Sequence, residues 1–187
     1  GAFYLTLTGV PYKAIRLGAS PLVLGLLPTV WSAVYITGAT VMGYLSDRLP
    51  RIAMARTGTL ILLAALLTLS LTKKVTGLFI GMPMAAVGLS LFWPALQAAV
   101  ADADDTGRLG GNLGWFNVSW SLGKGTGFLV GGVILERLGF NVLFSSAMAL
   151  ILAVAIFLKT IPTRRTANAG ALPPAERDPE PPILRRQ

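Results

Sequence analysis

Residues 17–46 carry no charged side chain, and neither do 57–72, 75–101 or 138–158. A further stretch, 109–135, is interrupted only by Lys124. These runs constrain the fold more than any other feature of the chain. A helix needs about 20 apolar residues to cross about 30 Å of hydrocarbon, and all but 57–72 are long enough unaided. The run 57–72 covers roughly 24 Å at 1.5 Å per residue. It becomes long enough if Ile52–Ala55 join it and Arg56 snorkels. The pattern predicts an all-α membrane protein with complete spans at 21–45, 52–72, 76–100, 112–134 and 140–159. Residues 1–12 read as an incomplete sixth span, a chain entered partway through a helix. Short connections suggest that sequence neighbours pack as spatial neighbours.

Composition agrees. The chain has 53% hydrophobic and 13% charged residues, against about 25% charged in soluble domains. His and Cys are absent. That excludes disulfides, a thiol nucleophile, the usual zinc sites and a histidine-based catalytic triad, so the chain reads as no enzyme and calls for no cofactor or metal. The net charge of +8 does not imply nucleic acid, because the basic residues are strung singly between apolar runs rather than gathered into a stripe.

The C-terminal stretch 161–187 differs. It is rich in proline and in charges of both signs, without apolar periodicity, and reads as a disordered soluble tail or linker. With the loop near residue 48, the loop near residue 108 and this tail on the cytoplasmic side, that side holds Arg48, Arg51, Arg56, Arg108, Lys159, Arg164 and Arg165. The other side holds Lys13, Arg16, Lys73, Lys74 and Arg137. The positive-inside rule mildly favours this orientation. The expected location is multi-pass in a bacterial inner (plasma) membrane.

Two places stand out as functional. The segment GYLSDRLPR, Gly43–Arg51, lies where the second span meets a cytoplasmic loop. Gly43 permits close helix approach. Asp47 can accept from backbone N–H groups at the next helix start. Arg48 and Arg51 can pair with a carboxylate on the adjacent loop, Asp102, Asp104 or Asp105. Such a cluster is suited to latch one conformation and release it in another.

The fifth span is the other. Gly123, Gly127 and Gly131 are spaced four apart, a small-xxx-small pattern that lets helices meet backbone to backbone. At 100° per residue, Asn117, Ser121 and Lys124 form a polar stripe beside them. Lys124 is the single ionisable residue well inside a span, and placing it against lipid would cost about 3 kcal/mol or more. It is expected to line a wet path, bind an anionic group, or pair with a carboxylate. Gln97, on the fourth span, is a candidate for a hydrogen bond between helices. Pro83 and Pro94 each remove a helical hydrogen bond there. Trp93, Trp115 and Trp120 suit either an interface anchor or a cavity wall.

At these residues the chain resembles the major facilitator superfamily of secondary transporters. The family's loop signature, G-x-L-a-D-r-x-G-r, is matched by Gly43, Leu45, Ser46, Asp47, Arg48 and Arg51, with Pro50 in place of the second glycine. Its helix-five signature, G-x8-G-x3-G-P-x2-G-G, is matched by Gly114, Gly123, Gly127, Gly131 and Gly132, with Phe128 replacing proline. A helix-four signature, R-x-x-Q-G, falls on Pro94–Ala98 and retains only Gln97. The arginine that the family often ties to proton coupling is therefore missing.

The resemblance covers residues 1–160 and implies an N-terminal six-helix half, with 161–187 as the linker between halves. It implies alternating access around a central cavity, with a lipid bilayer, a small-molecule substrate and a second half as partners. A solute transporter is the leading expectation. Drug or metabolite efflux within the same superfamily and a non-transporting subunit or truncated remnant are the alternatives.

Overall fold

A computed structural model describes residues 2–46, 49–102, 107 and 109–162. They form six α-helices: α1 Ala2–Arg16, α2 Pro21–Ser46, α3 Arg51–Leu71, α4 Val75–Asp102, α5 Leu109–Arg137 and α6 Phe140–Thr160. No strand occurs among the described residues. Five of the helices, α2 to α6, are long and apolar enough to cross a membrane. Their bounds follow the uncharged runs to within a few residues, because charge is what hydrocarbon excludes. Asp47 and Arg48, Asp104 and Asp105, Arg108 and the stretch from residue 163 onward lie outside the described residues.

The packing departs from simple adjacency. The most extensive contacts join α3 to α4, then α2 to α4, α1 to α5, α3 to α6 and α1 to α6. Helices α1 and α2 barely touch, despite the four-residue connection between them. A short connection fixes only where a helix starts; side-chain size decides which flank it lies against.

These contacts have an internal order. Exchanging α1 with α4, α2 with α5 and α3 with α6 turns α3–α4 into α6–α1, turns α2–α4 into α5–α1, and leaves α3–α6 unchanged. Exchanged helices run in opposite directions across the bilayer. The contact pattern is thus that of two three-helix units of opposite direction, packed in a similar order. The relation is imperfect, since α5 touches α6 whereas α2 and α3 make at most marginal contact.

Four of these five crossings contain a glycine; α3–α6 does not. A Cβ on Gly58 would lie 2.5 Å from the Gly88 carbonyl oxygen, and one on Gly88 would lie 2.8 Å from that of Gly58. The α3–α4 crossing is therefore a reciprocal backbone contact. At α1–α6, a Cβ on Gly9 would meet Leu143 at 2.7 Å. At α2–α4, one on Gly38 would meet the Ser90 hydroxyl at 2.6 Å, and at α1–α5 one on Gly131 would meet Thr8 at 2.8 Å. Lipid offers apolar surface as good as leucine, so helices associate through close van der Waals contact, which small residues allow.

Backbone and hydroxyl groups are satisfied locally. The hydroxyls of Thr29, Thr37, Thr59 and Thr126 donate to the carbonyl four residues back, so they need no water at depth. The main core gathers Phe3 and Val10 of α1, Leu62 and Leu66 of α3, Met82 of α4 and Phe144 of α6.

Three cations close helix ends. Lys13 Nζ donates to the carbonyls of Leu69 and Ser70, both at 2.6 Å, at the end of α3. The Arg51 guanidinium donates to Ala98 near the end of α4. Arg56 donates to Leu158 at 3.0 Å, Lys159 at 3.3 Å and Ile161 at 2.6 Å, closing α6. The last carbonyls of a helix lack intrahelical partners and carry partial negative charge, so a cation there serves as donor and counter-charge together. Arg56 therefore reaches from α3 to the carbonyls at the end of α6. Arg56→Met is expected to destabilise the bundle by about 1–3 kcal/mol. Unfolding titration with SDS in mixed micelles measures it; a change within about 0.3 kcal/mol would show that those carbonyls find other donors.

Candidate functional site

Tyr4 on α1, Trp31 and Tyr35 on α2, Trp93 on α4 and Trp120 on α5 all face one cavity of about 390 Å³. All six helices contribute to its wall. The volume lies within the range of sites for small organic ligands.

The rings form a continuous arc. Tyr35 stacks on Trp31 at 5.3 Å between centroids, and Trp31 stacks on Phe3 at 5.9 Å. Phe3 meets Tyr4 edge to face at 5.9 Å. Tyr4 approaches Trp120 at 6.4 Å, and Trp120 meets Trp93 at 5.7 Å. Such pairs favour offset and edge-to-face geometry and hold one another in place. The arc joins four helices without any sequence-local contact between them.

Lys124 lines the same cavity. Its ammonium sits 5.6 Å from the ring centres of both Tyr4 and Trp120. The negative faces of two aromatic rings partly compensate a cation in an apolar setting. The side chain is exposed at the edge of the bundle, and no carboxylate pairs with it among the described residues. The described carboxylates are Asp102, the last residue of α4, and Glu136, near the far end of α5. Glu136 is 12 residues from Lys124, or about 18 Å along the helix.

The other sequence-selected residues fall into three places. Asn117 and Ser121 lie on the Lys124 stripe of α5, exposed and not in the cavity wall. Gln97 is exposed near the end of α4. On α5, Gly127 and Gly131 are buried, and Gly131 meets α1. Gly123 is half-buried, while Cβ atoms on Gly114 and Gly132 would meet nothing within 4 Å. Gly43 likewise has open space at its Cβ position.

Arg51 forms an ion pair with Asp102 at 2.8 Å, with the arginine side chain 16% exposed and the aspartate 51%. One guanidinium thus joins the start of α3 to the end of α4 by both a carbonyl and a carboxylate. Because Asp102 is half exposed, a double-mutant cycle with Arg51→Gln and Asp102→Asn should give a coupling of only about 0.5–1 kcal/mol. A coupling above about 3 kcal/mol would mean that the pair is desolvated in the membrane.

Three site residues escape a reading of the sequence. Tyr4, Trp31 and Tyr35 carry no charge and belong to no periodic small-residue stripe. The available signal is that Trp31 and Tyr35 are spaced i, i+4 on one face of a span otherwise rich in small residues. Of the tryptophans singled out, Trp93 and Trp120 face the cavity, and Trp115 is 74% exposed.

Five helices long and apolar enough to span, packed in one bundle, define a multi-pass integral membrane protein. The sequence matches the family model for the Major Facilitator Superfamily over residues 1–186, and the chain belongs to that family of transporters, which are not enzymes. Its six helices correspond in number to one half of a twelve-helix member. Comparison with curated proteins finds no match.

Proposed function

We propose that the chain contributes one side of an alternating-access transporter that carries a small organic solute across a bacterial plasma membrane. The observation that supports this best is Lys124, held between Tyr4 and Trp120 at the edge of a cavity reached by all six helices. A cation without a counter-charge at mid-span is costly, and solute binding is a function that repays it. The second half of the transporter, or an equivalent six-helix partner, would close the site. The exposed faces of α2 and α5 support this: among described residues only Leu27 is buried on α2, and only Gly127 and Gly131 on α5.

The loop from Gly43 to Arg51, with Asp102, is then the latch. The Arg51–Asp102 pair ties α3 to α4 at the end that the count of basic residues assigns to the cytoplasm, and the latch reading requires it to exchange partners when that face opens. Export of drugs or metabolites is the second reading, favoured by the aromatic wall and by the glycine pattern of α5.

Solute-induced currents from the full-length protein in proteoliposomes on a solid-supported membrane test the proposal. A saturable current for at least one organic solute in a chemically varied panel is expected. Lys124→Gln should reduce it by about tenfold or more. Absence of saturable current across the panel, with correctly folded protein, would remove the transport reading.

A further inference from the structure

We infer that the cavity takes an organic monoanion with a flat apolar body, its charged end at Lys124. This rests on the transport reading for its biological sense and deepens it by naming the substrate class. The wall decides the body of the ligand: an arc of stacked and edge-on rings offers wide apolar faces and favours planar partners.

The polar groups decide its charge. Among the described residues that line the cavity, Lys124 is the cation and none is a carboxylate. The Trp31 indole N–H is buried without an acceptor among the described residues, and an indole can only donate. Tyr4 and Tyr35 add hydroxyls that can donate. Thr59 is already committed to the Ala55 carbonyl at 2.8 Å. The inventory is thus one fixed positive charge and several donors, which is the complement of an acceptor-rich anion. Aromatic rings alone would equally suit an organic cation. Lys124 reverses that choice, because like charges brought together at the cavity edge repel.

The test uses the full-length protein in lipid nanodiscs and tritiated 2-naphthoate in a scintillation-proximity binding assay. Unlabelled 2-naphthamide and protonated 2-naphthylmethylamine compete, being matched in body and different in charge. Naphthoate is expected to bind at least about tenfold more tightly than the amide, with the ammonium weakest. Lys124→Gln should bring acid and amide to within about threefold of each other, while Lys124→Arg keeps the preference. Size-exclusion profiles confirm that both variants fold.

Equal competition by acid and amide, a preference that survives Lys124→Gln, or no naphthoate binding would overturn the inference. A carboxylate from elsewhere in the assembly that neutralises Lys124 would produce one of those same results. The two readings fail separately. Selective anion binding without solute-induced current removes transport and keeps the ligand class. Current with a neutral or cationic solute and no naphthoate binding does the reverse.

Discussion

Gly58→Ala is expected to destabilise the bundle by about 1–3 kcal/mol, and Gly58→Leu to prevent its assembly. The added methyl would sit 2.5 Å from the Gly88 carbonyl oxygen and 2.9 Å from the Phe92 amide nitrogen. Both neighbours are backbone, so neither can swing aside as a side chain would. The two helices must separate, and α3–α4 is the most extensive interface in the bundle. Separation also loosens Arg51 from Ala98 and Asp102, which lie on the same interface. Gly25→Ala is the matched control: a Cβ there meets nothing within 4 Å, and alanine is intrinsically the better helix former by about 1 kcal/mol. SDS-titration unfolding of the two variants should move in opposite directions. If Gly58→Ala were neutral, the backbone contact would not be what joins α3 to α4.

Trp120→Ala is expected to weaken solute binding by about 10- to 100-fold, corresponding to the roughly 1.5–3 kcal/mol of a buried aromatic contact. Its ring touches Trp93 on one side and Tyr4 on another, and it is one of the two rings beside the Lys124 ammonium. Removing it both opens the wall and frees the cation. Trp115→Ala, five residues earlier on the same helix, removes a ring that is 74% exposed and should leave binding within about twofold. Solute-induced currents measured over a concentration series separate the two. A similar loss in both variants would mean that tryptophan acts on α5 as a whole and not at this cavity.

The spans were legible because absence of charge is a strong signal spread over many residues. Lys124 was legible because one charge inside such a run cannot be ignored. The Arg51–Asp102 pair was among the pairings open to a reading of the loops, and the structure makes it. Which flank each helix takes was not legible, since that depends on small residues facing each other from distant parts of the chain. Gly58 illustrates this: it is a solitary glycine in a stretch of Leu, Ala and Thr, and its partner lies 30 residues away at Gly88. The aromatic arc was hidden for the same reason. Its rings come from four helices, and each alone resembles ordinary packing. The partners that Arg56 takes at the end of α6 were not legible either, because sequence gives no direction to a side chain.

The similar packing order of the two helical triplets bears on how the protein enters the bilayer. Two triplets of opposite direction and similar packing order give the insertion machinery little geometric cue about which loops belong in the cytoplasm. Lys13 on one face and Arg51 and Arg56 on the other are already engaged with helix ends. The choice between upright and inverted molecules then rests on the basic residues of the loops, which divide only seven to five between the two sides. Moving two or three of them across should suffice to flip the population.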